Sequence, residues 1–261
     1  MSPRGRSAPR RAADPSTGIG EGDRSDRPDP GHRRVFVAIP LPETARREIT
    51  ELVESVRSAA DPDVRDVRWV RLDGLHLTLR FIGLVDESRL GSIAAAVEAA
   101  AANVDAFEAT IEGGGAFPST TRPRTLWLGV TAGADELAAA AATVEDALAS
   151  AGFERSTRPY RAHLTLARSD GIRSGPDVAR RLIQAGDGRA TRFAATELVL
   201  FETIQGGGPA RYEPLLTAPL RRSSTPSEPQ RRMAPSVLPS EPSVKPRASV
   251  GVRRKEQRPG T

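Results

Sequence analysis

Several residue types are absent or scarce in this chain of 261 residues, and each shortage excludes a class of protein. There is no cysteine, which excludes disulfides, thiolate nucleophiles and cysteine-ligated zinc. No apolar run approaches the length of a transmembrane helix, and the N-terminus lacks the apolar stretch of a signal peptide. These shortages predict a soluble cytoplasmic protein that has no membrane partner.

Lysine is also scarce, since Lys245 and Lys255 are the only two. The basic residues of the middle of the chain are therefore all arginine. The net charge of +5 is unevenly spread, because residues 219–261 hold ten Arg and Lys against three Asp and Glu, while residues 1–32 hold six against five. The middle is thus acidic overall, and the high isoelectric point does not predict a basic binding face there.

The distribution of proline divides the chain into three parts. Residues 1–32 contain five prolines and residues 219–261 contain eight, with little apolar periodicity in either segment. Such segments cannot bury enough apolar surface to offset the entropy of ordering. We therefore predict disordered tails at 1–32 and 219–261 and one domain at 33–218. The basic C-terminal tail can attract nucleic acid weakly, but it has no aromatic residue for base stacking, which favours a solvated extension.

Between the tails, short apolar strands alternate with alanine-rich helical segments. The histidines of a repeated motif lie 87 residues apart, each on a strand that follows a helix. This order predicts an α+β fold of two similar lobes around a central cleft, each an antiparallel sheet backed by helices. Periodicity predicts strands at 35–39, 66–70, 75–82, 107–111, 125–130, 162–167, 192–203 and 212–215, helices at 43–59, 86–102, 134–151 and 176–185, and a turn at 113–115.

The repeated motif is His-Leu-Thr-Leu, found at His76–Leu79 and His163–Leu166. These are two of only three histidines, and at average usage a given His precedes Leu-Thr-Leu roughly once in a couple of thousand cases. In a strand, His and Thr point to one face and the two leucines to the other. Two such strands facing one cleft predict a phosphate site with two proton-transfer groups. The third histidine, His32, lies in the N-terminal tail and is predicted to be structural or solvent-exposed.

With their flanking residues, the motifs resemble the 2H phosphoesterase superfamily, and more narrowly the bacterial RNA 2′,3′-cyclic phosphodiesterases, once described as 2′-5′ RNA ligases. The similarity lies in residues 34–40, 75–83, 123–129, 158–168 and 211–215. It covers the predicted domain and neither tail. The resemblance implies a bilobal fold that hydrolyses RNA or nucleotide 2′,3′-cyclic phosphate to a 2′-phosphomonoester without a metal or cofactor.

The resemblance also implies roles for individual residues. His76 is the proton donor and His163 is the proton acceptor, while Thr78, Thr165 and Arg168 bind the phosphate. The chemistry fits, because ring opening needs an activated water on one side of phosphorus and a proton for the departing 3′-oxygen on the other. Histidine titrates near neutrality, and hydroxyl and guanidinium groups stabilise charge on the non-bridging oxygens.

Two arginines and three aromatic residues leave alternatives open. Strict alternation places Arg168 opposite His163, so it reaches the cleft only if the strand ends or twists near Ala167. Arg80 is predicted to share a face with His76, either in the site or on a solvated rim. Three aromatic side chains either stack a base or pack in the core: Phe36, Trp127 and Tyr160.

A metal centre is not expected, because no Asp or Glu lies at ligand spacing beside either motif and cysteine is absent. The alternative function is an RNA-binding or 2′-5′ end-joining module that holds a phosphate in the same cleft. Binding alone needs positive charge more than two titratable imidazoles, which favours the enzyme. The expected partner is RNA or a nucleotide with a 2′,3′-cyclic phosphate end, bound by a monomer.

Overall fold

The computed structural model describes residues 31–60, 66–170, 173–206 and 208–222. Nine strands and four α-helices form within these residues. The strands are β1 (His32–Pro40), β2 (Val67–Trp69), β3 (His76–Asp86), β4 (Phe107–Pro118), β5 (Pro123–Ala132), β6 (His163–Ser169), β7 (Thr191–Ala195), β8 (Glu197–Ile204) and β9 (Arg211–Pro219). The helices are α1 (Glu43–Ala59), α2 (Leu90–Ala101), α3 (Ala134–Ser150) and α4 (Gly175–Gly186).

The strands form two antiparallel sheets. The first sheet has the order β3-β1-β8-β9, and the second has the order β2-β6-β5-β4-β7. The predicted α+β class with two sheet-based lobes is confirmed. The lobes are not the two halves of the sequence, however, because β8 and β9 return to pair beside β1, and β2 joins β6 in the second sheet.

Helices cover one face of each sheet. Helices α2 and α3 pack on the first sheet, against β8, β9 and β3, whereas α1 and α4 pack on the second, against β7, β4 and β5. The approach of α4 is close, since a Cβ atom at Gly114 would lie 2.9 Å from Ile183 Cα. Apolar residues at alternate positions of the strands fill these helix-covered faces. The opposite faces of the two sheets carry the repeated motifs.

Two glycines that follow predicted strands lie inside longer strands. Gly83 (φ +95°) and Gly113 (φ +73°) stand at register irregularities of β3 and β4, whose pairing continues beyond them. A bulge accommodates an extra residue in a left-handed conformation without ending the ladder. The predicted turn at 113–115 is therefore wrong. The single strand predicted at 192–203 is also wrong, because β7 and β8 belong to different sheets.

Both ends of the described region extend beyond the predicted domain. His32 starts β1 and pairs with Asp86 rather than lying in a tail. At the other end Leu220 is buried, and the Arg221 amide donates to Val104 O at 2.9 Å. The chain therefore continues its tertiary contacts past residue 218. The remainder of the predicted tails, 1–30 and 223–261, lies outside the described residues.

In the part of the chain that the structure describes, no helix combines the length and apolar character needed to cross a membrane.

Candidate active site

The repeated motifs lie on β3 and β6, with the alternation expected of strands. Leu77 and Leu164 are fully buried, whereas His76 and His163 are partly exposed. Thr78 and Thr165 follow at the same partial exposure. Each leucine anchors its strand in the core, so that the imidazole and hydroxyl of the motif share the face without helices.

The two imidazoles are held in the same way. His76 Nδ1 lies 2.8 Å from Gly74 O, and His163 Nδ1 lies 2.7 Å from Arg161 O. A carbonyl oxygen only accepts, so Nδ1 must carry the proton in both rings. The Nε2 atom of each neutral ring is therefore the basic nitrogen, and this nitrogen faces away from the anchoring backbone. Both rings present the same atom for proton transfer.

Aromatic rings surround His76. The ring centroids of Phe36 and Tyr212 each lie 4.8 Å from that of His76, and Phe201 lies 5.9 Å away. Burial among these rings lowers the pKa of His76, and its bond to the Gly74 carbonyl only partly opposes this effect. No charged side chain among the described residues changes the pKa of His76. The first motif thus holds its imidazole in an apolar, uncharged cage.

His163 has a different environment. Phe117 packs edge-on at 5.3 Å, between His163 and the Trp127 ring beyond it. Burial lowers the pKa of His163, the bond to Arg161 O raises it, and the positive charge of Arg168 lowers it further. The second motif therefore combines an imidazole with a nearby cation.

A bulge brings Arg168 to this face. In β6, Leu166 is an extra residue without a partner in β5. The extra residue shifts the alternation, so Arg168 shares a face with His163 and Thr165, whereas strict alternation places it opposite. Its Nη1 atom lies 3.5 Å from Thr125 Oγ1. Leu166 and Ala167 are both buried, so these two consecutive residues together take one step of the alternation.

A bulge at the matching position of β3 has the opposite consequence for an arginine. Leu79 is the extra residue, so Arg80 turns to the helix-covered face, and its Nε lies 2.7 Å from a Glu145 carboxylate oxygen in α3. The prediction that Arg80 shares the face of His76 is therefore wrong. Phe81 takes the exposed position instead, with its ring 5.7 Å from Phe36. Five residues after the histidine, one motif places a cation and the other an aromatic ring.

The two motifs meet between the sheets. Strands β3 and β6 contact each other. Tyr212 of β9 packs on His76, and the positive charge of Arg168 in β6 opposes the rise that burial causes in the pKa of the Tyr212 phenol. A cavity of about 320 Å³, lined in part by Gly74 and Tyr212, adjoins the first motif. The contact between Tyr212 and His76 was not predicted, because 136 positions separate them in the sequence.

The three aromatic candidates differ in their surroundings. Phe36 is 1% exposed and belongs to the cage around His76. Trp127 lies flat on Gly115, where any side chain would overlap the indole ring, and Tyr160 packs against the core. Phe36 and Tyr160 thus serve packing. Among the described residues, no group of three or more His, Asp and Glu side chains is placed to hold a metal ion.

The fold and the paired His-x-Thr strands define a phosphoesterase of the two-histidine class. Residues 40–207 match the family model of the 2′-5′ RNA ligase superfamily. The chain belongs to this family, and the family predicted from the motifs is confirmed.

Individual relatives agree with this assignment. The RNA 2′,3′-cyclic phosphodiesterase of Aeropyrum pernix is 37% identical over 138 residues, which are 53% of this chain and 77% of the relative. The protein of that name from Geobacillus stearothermophilus is 31% identical over 188 residues, 71% of this chain and 56% of the relative. The structure of E. coli LigT complexed with 3′-AMP superposes with a TM-score of 0.58 at 26% identity, covering 72% of this chain and 98% of LigT.

Proposed function

We propose that the protein hydrolyses the 2′,3′-cyclic phosphate end of RNA, or of a nucleotide, to a 2′-phosphomonoester, without a metal ion or cofactor. One observation carries this proposal: both imidazoles give Nδ1–H to a backbone carbonyl and so offer Nε2 for proton transfer. The relatives named RNA 2′,3′-cyclic phosphodiesterase support the choice of substrate. The substrate end is bound between the two motif strands.

In the proposed reaction, His163 is the general base and His76 is the general acid. His163 Nε2 takes a proton from water as the water oxygen attacks phosphorus. The bond from phosphorus to the 3′-oxygen breaks, and His76 Nε2 gives its proton to that oxygen, which leaves the phosphate on the 2′-oxygen. The charge of Arg168 disfavours protonation of His163, which suits a base.

The protonation of His76 then depends on the substrate. Burial lowers its pKa, and no carboxylate is paired with Nδ1 to counter this. A bound phosphate is anionic, and an opposite charge within a few ångströms favours the protonated imidazole. The substrate itself therefore supplies the charge that keeps the acid protonated.

The remaining groups hold the non-bridging oxygens. We assign this role to the hydroxyls of Thr78 and Thr165 and to the guanidinium of Arg168. All three lie on the faces that carry the histidines. Hydrogen bonds to a charged group contribute about 1.5–3 kcal/mol each, so together they orient the cyclic ester between the two Nε2 atoms.

The test is product identification. Purified protein is incubated with EDTA and a short RNA that ends in a 2′,3′-cyclic phosphate, and ³¹P NMR identifies the phosphomonoester. The expected product is the 2′ isomer, formed at the same rate with and without EDTA. A 3′ product, or activity restored only by a divalent ion, would contradict the mechanism.

The same experiment separates the alternative function. RNA that is retained by the protein but left unhydrolysed, or joined to a 5′-hydroxyl RNA in preference to water, would indicate a binding or end-joining module. The double variant His76→Ala/His163→Ala is the control, because it keeps Arg168 and both threonines while removing the proton-transfer groups. Its residual RNA binding measures retention without chemistry.

We further propose that the domain predicted at 33–218, extended through residue 222, performs the reaction alone. A chain truncated to residues 31–222 keeps every strand and helix that positions the motifs. Its melting temperature and its turnover of a cyclic mononucleotide should equal those of the full chain. A drop in the melting temperature of several degrees would place part of the folded domain outside 31–222. If the only change is weaker binding of long RNA, the removed segments contribute electrostatic attraction for RNA and no part of the fold.

A further inference from the structure

The edge strand β9 brings a tyrosine onto the first motif. The Tyr212 ring lies edge-on to His76 at 4.8 Å with an interplanar angle of 86°, and edge-on to Phe36 at 5.2 Å. Ring pairs at these distances and angles have favourable quadrupole geometry. The tyrosine therefore restrains the His76 ring from a third strand of the sheet.

The same ring also covers the backbone that anchors His76. A Cβ atom at Gly74 would lie 3.2 Å from Tyr212 Cδ2, so the tyrosine lies directly over this glycine. Gly74 supplies the carbonyl that accepts the hydrogen bond from His76 Nδ1. Tyr212 thus contacts both the imidazole and the residue that fixes its orientation.

The phenol of Tyr212 is uncharged at neutral pH. Burial raises its pKa, and the positive charge of Arg168 only partly opposes this effect. The packing on His76 is therefore that of a neutral ring. Tyr212 also lies beyond residues 40–207, which the family model matches.

We infer that Tyr212 is a positioning residue, which holds His76 in its reactive orientation. The inference rests on the proposed function, in which His76 is the acid. The ring does this by packing on the imidazole and on Gly74. Substrate chemistry is left to the two histidines.

Titration of His76 tests the ring independently of activity. The groups packed on His76 are Phe36 from β1, Phe201 from β8 and Tyr212 from β9, and none is charged at neutral pH. Removing the ring in Tyr212→Leu admits water, so the pKa of His76 should rise toward that of a solvated histidine. NMR of the imidazole Cε1–H resonances, assigned with single His variants, measures this shift, and His163 should change less.

Kinetics separate the ring from the hydroxyl. A misplacement of about 1 Å can cost up to two orders of magnitude in rate, so Tyr212→Leu should lower kcat roughly 10- to 100-fold with little change in KM. Tyr212→Phe keeps the ring and should preserve kcat, KM and the His76 titration. The matched control is Tyr160→Phe, the only other tyrosine, which should change none of these quantities.

Three outcomes would overturn the inference. The first is an unchanged His76 titration in a Tyr212→Leu protein that still shows the wild-type circular dichroism spectrum. The second is an equal loss of kcat in Tyr212→Phe and Tyr212→Leu, which would make the hydroxyl a catalytic group. The third is a change in kcat or in the His76 titration in Tyr160→Phe that is as large as the change in Tyr212→Leu. If the wild type hydrolyses no cyclic phosphate, the proposed function fails, but the titration still decides whether Tyr212 positions His76.

Discussion

Strands β3 and β6 carry the same four residues, the same backbone anchor for histidine and a bulge at the same position, yet their surroundings differ. Around His76 there are three aromatic rings and no charge. Around His163 there are one ring and the cation of Arg168. A local motif thus reproduces the geometry of a proton-transfer group, and the neighbouring strands decide its protonation.

The residues after the bulges continue this contrast. In β6 the shifted alternation presents Arg168 beside the motif, while in β3 it presents Phe81 and sends Arg80 to Glu145 of α3. A phosphate bound between the strands would therefore meet a guanidinium from the β6 side and an aromatic ring at the matching position of β3. An asymmetric pair of this kind suits a reaction in which one histidine accepts a proton and the other donates one.

The largest expected effects come from removing each histidine. His76→Ala and His163→Ala should each lower kcat/KM by about two to four orders of magnitude, the usual contribution of a positioned acid or base. The wild type should show a bell-shaped pH profile for kcat/KM. A substrate with a good leaving group on the 3′ side needs little protonation, so it should restore much of the activity of His76→Ala and little of that of His163→Ala.

This comparison also shows how the assignment can fail. Equal rescue of both variants would mean that the histidines share the acid role. Rescue of His163→Ala alone would reverse the two roles. Each variant is measured on the natural cyclic phosphate and on the substrate with a good leaving group. The rate of the wild type on the second substrate is the reference.

Arg168 should give the next largest effect. Arg168→Gln removes the charge that the second motif offers to the phosphate, and a hydrogen bond to a charged group contributes about 1.5–3 kcal/mol. We therefore expect kcat/KM to fall by roughly 10- to 100-fold. The matched control is Arg68→Gln. Arg68 lies opposite Arg168 on the neighbouring strand β2, but its guanidinium forms an ion pair with Asp170. Losses of equal size would argue for a diffuse positive field instead of a specific contact.

A smaller effect is expected from the connection between the motif strands. Glu145 holds Arg80 of β3 with one oxygen and accepts from the Ser156 amide, in the segment leading to β6, with the other at 2.6 Å. Glu145→Gln should therefore lower kcat by about 3- to 10-fold through misplacement of one motif relative to the other. The control is Glu202→Gln, which disrupts the ion pair between a buried carboxylate and the more exposed Arg33 in the first sheet.

The two ion pairs are distinguished by measuring kcat and melting temperature together. Both variants should lower the melting temperature, since Glu145→Gln removes the carboxylate charge that faces Arg80, and Glu202→Gln removes one of the two carboxylates that pair with Arg33. Only Glu145→Gln should also lower kcat. If Glu202→Gln reduces kcat to the same extent, the loss reflects general destabilisation and the connection between the motifs has no separate role.

The smallest expected effect is on stability in acid. The folded pKa of both histidines is lowered from the ordinary value near 6.5, so the unfolded chain binds more protons below that pH. Their stabilising contribution is complete above about pH 6.5 and is lost as the pH falls through the folded pKa. His76→Gln should therefore reduce the drop in melting temperature between pH 7.5 and pH 5.

The size of this reduction sharpens the comparison. His163→Gln should give a smaller reduction, because His163 is less enclosed than His76. His32→Gln is the control, because it replaces a histidine that lies outside both motifs. A melting temperature that responds to acid identically in all three variants would mean that the cage around His76 admits water.

Local geometry explains what the sequence alone could predict. The alternation of a strand places His76 beside Thr78 and Leu77 on the opposite side, whatever the strand pairs with. Helical patterns in the sequence likewise predicted α1, α3 and α4 to within a residue or two. These properties depend on neighbouring residues in the chain. The repeated motif then predicted the family and, through it, the kind of chemistry.

Only the tertiary structure decided the features that depend on a partner strand. A bulge exists only as two residues opposing one on another strand. The sequence of β6 therefore could not show that Arg168 lies on the face of the motif. Nor could the sequence of β3 show that Arg80 lies on the helix-covered face. The same holds for Tyr212, which reaches His76 because β9 joins the far edge of the first sheet. The sequence by itself therefore determined the repeated motif and the family, and the pairing of distant strands determined the surroundings that make two identical motifs unequal.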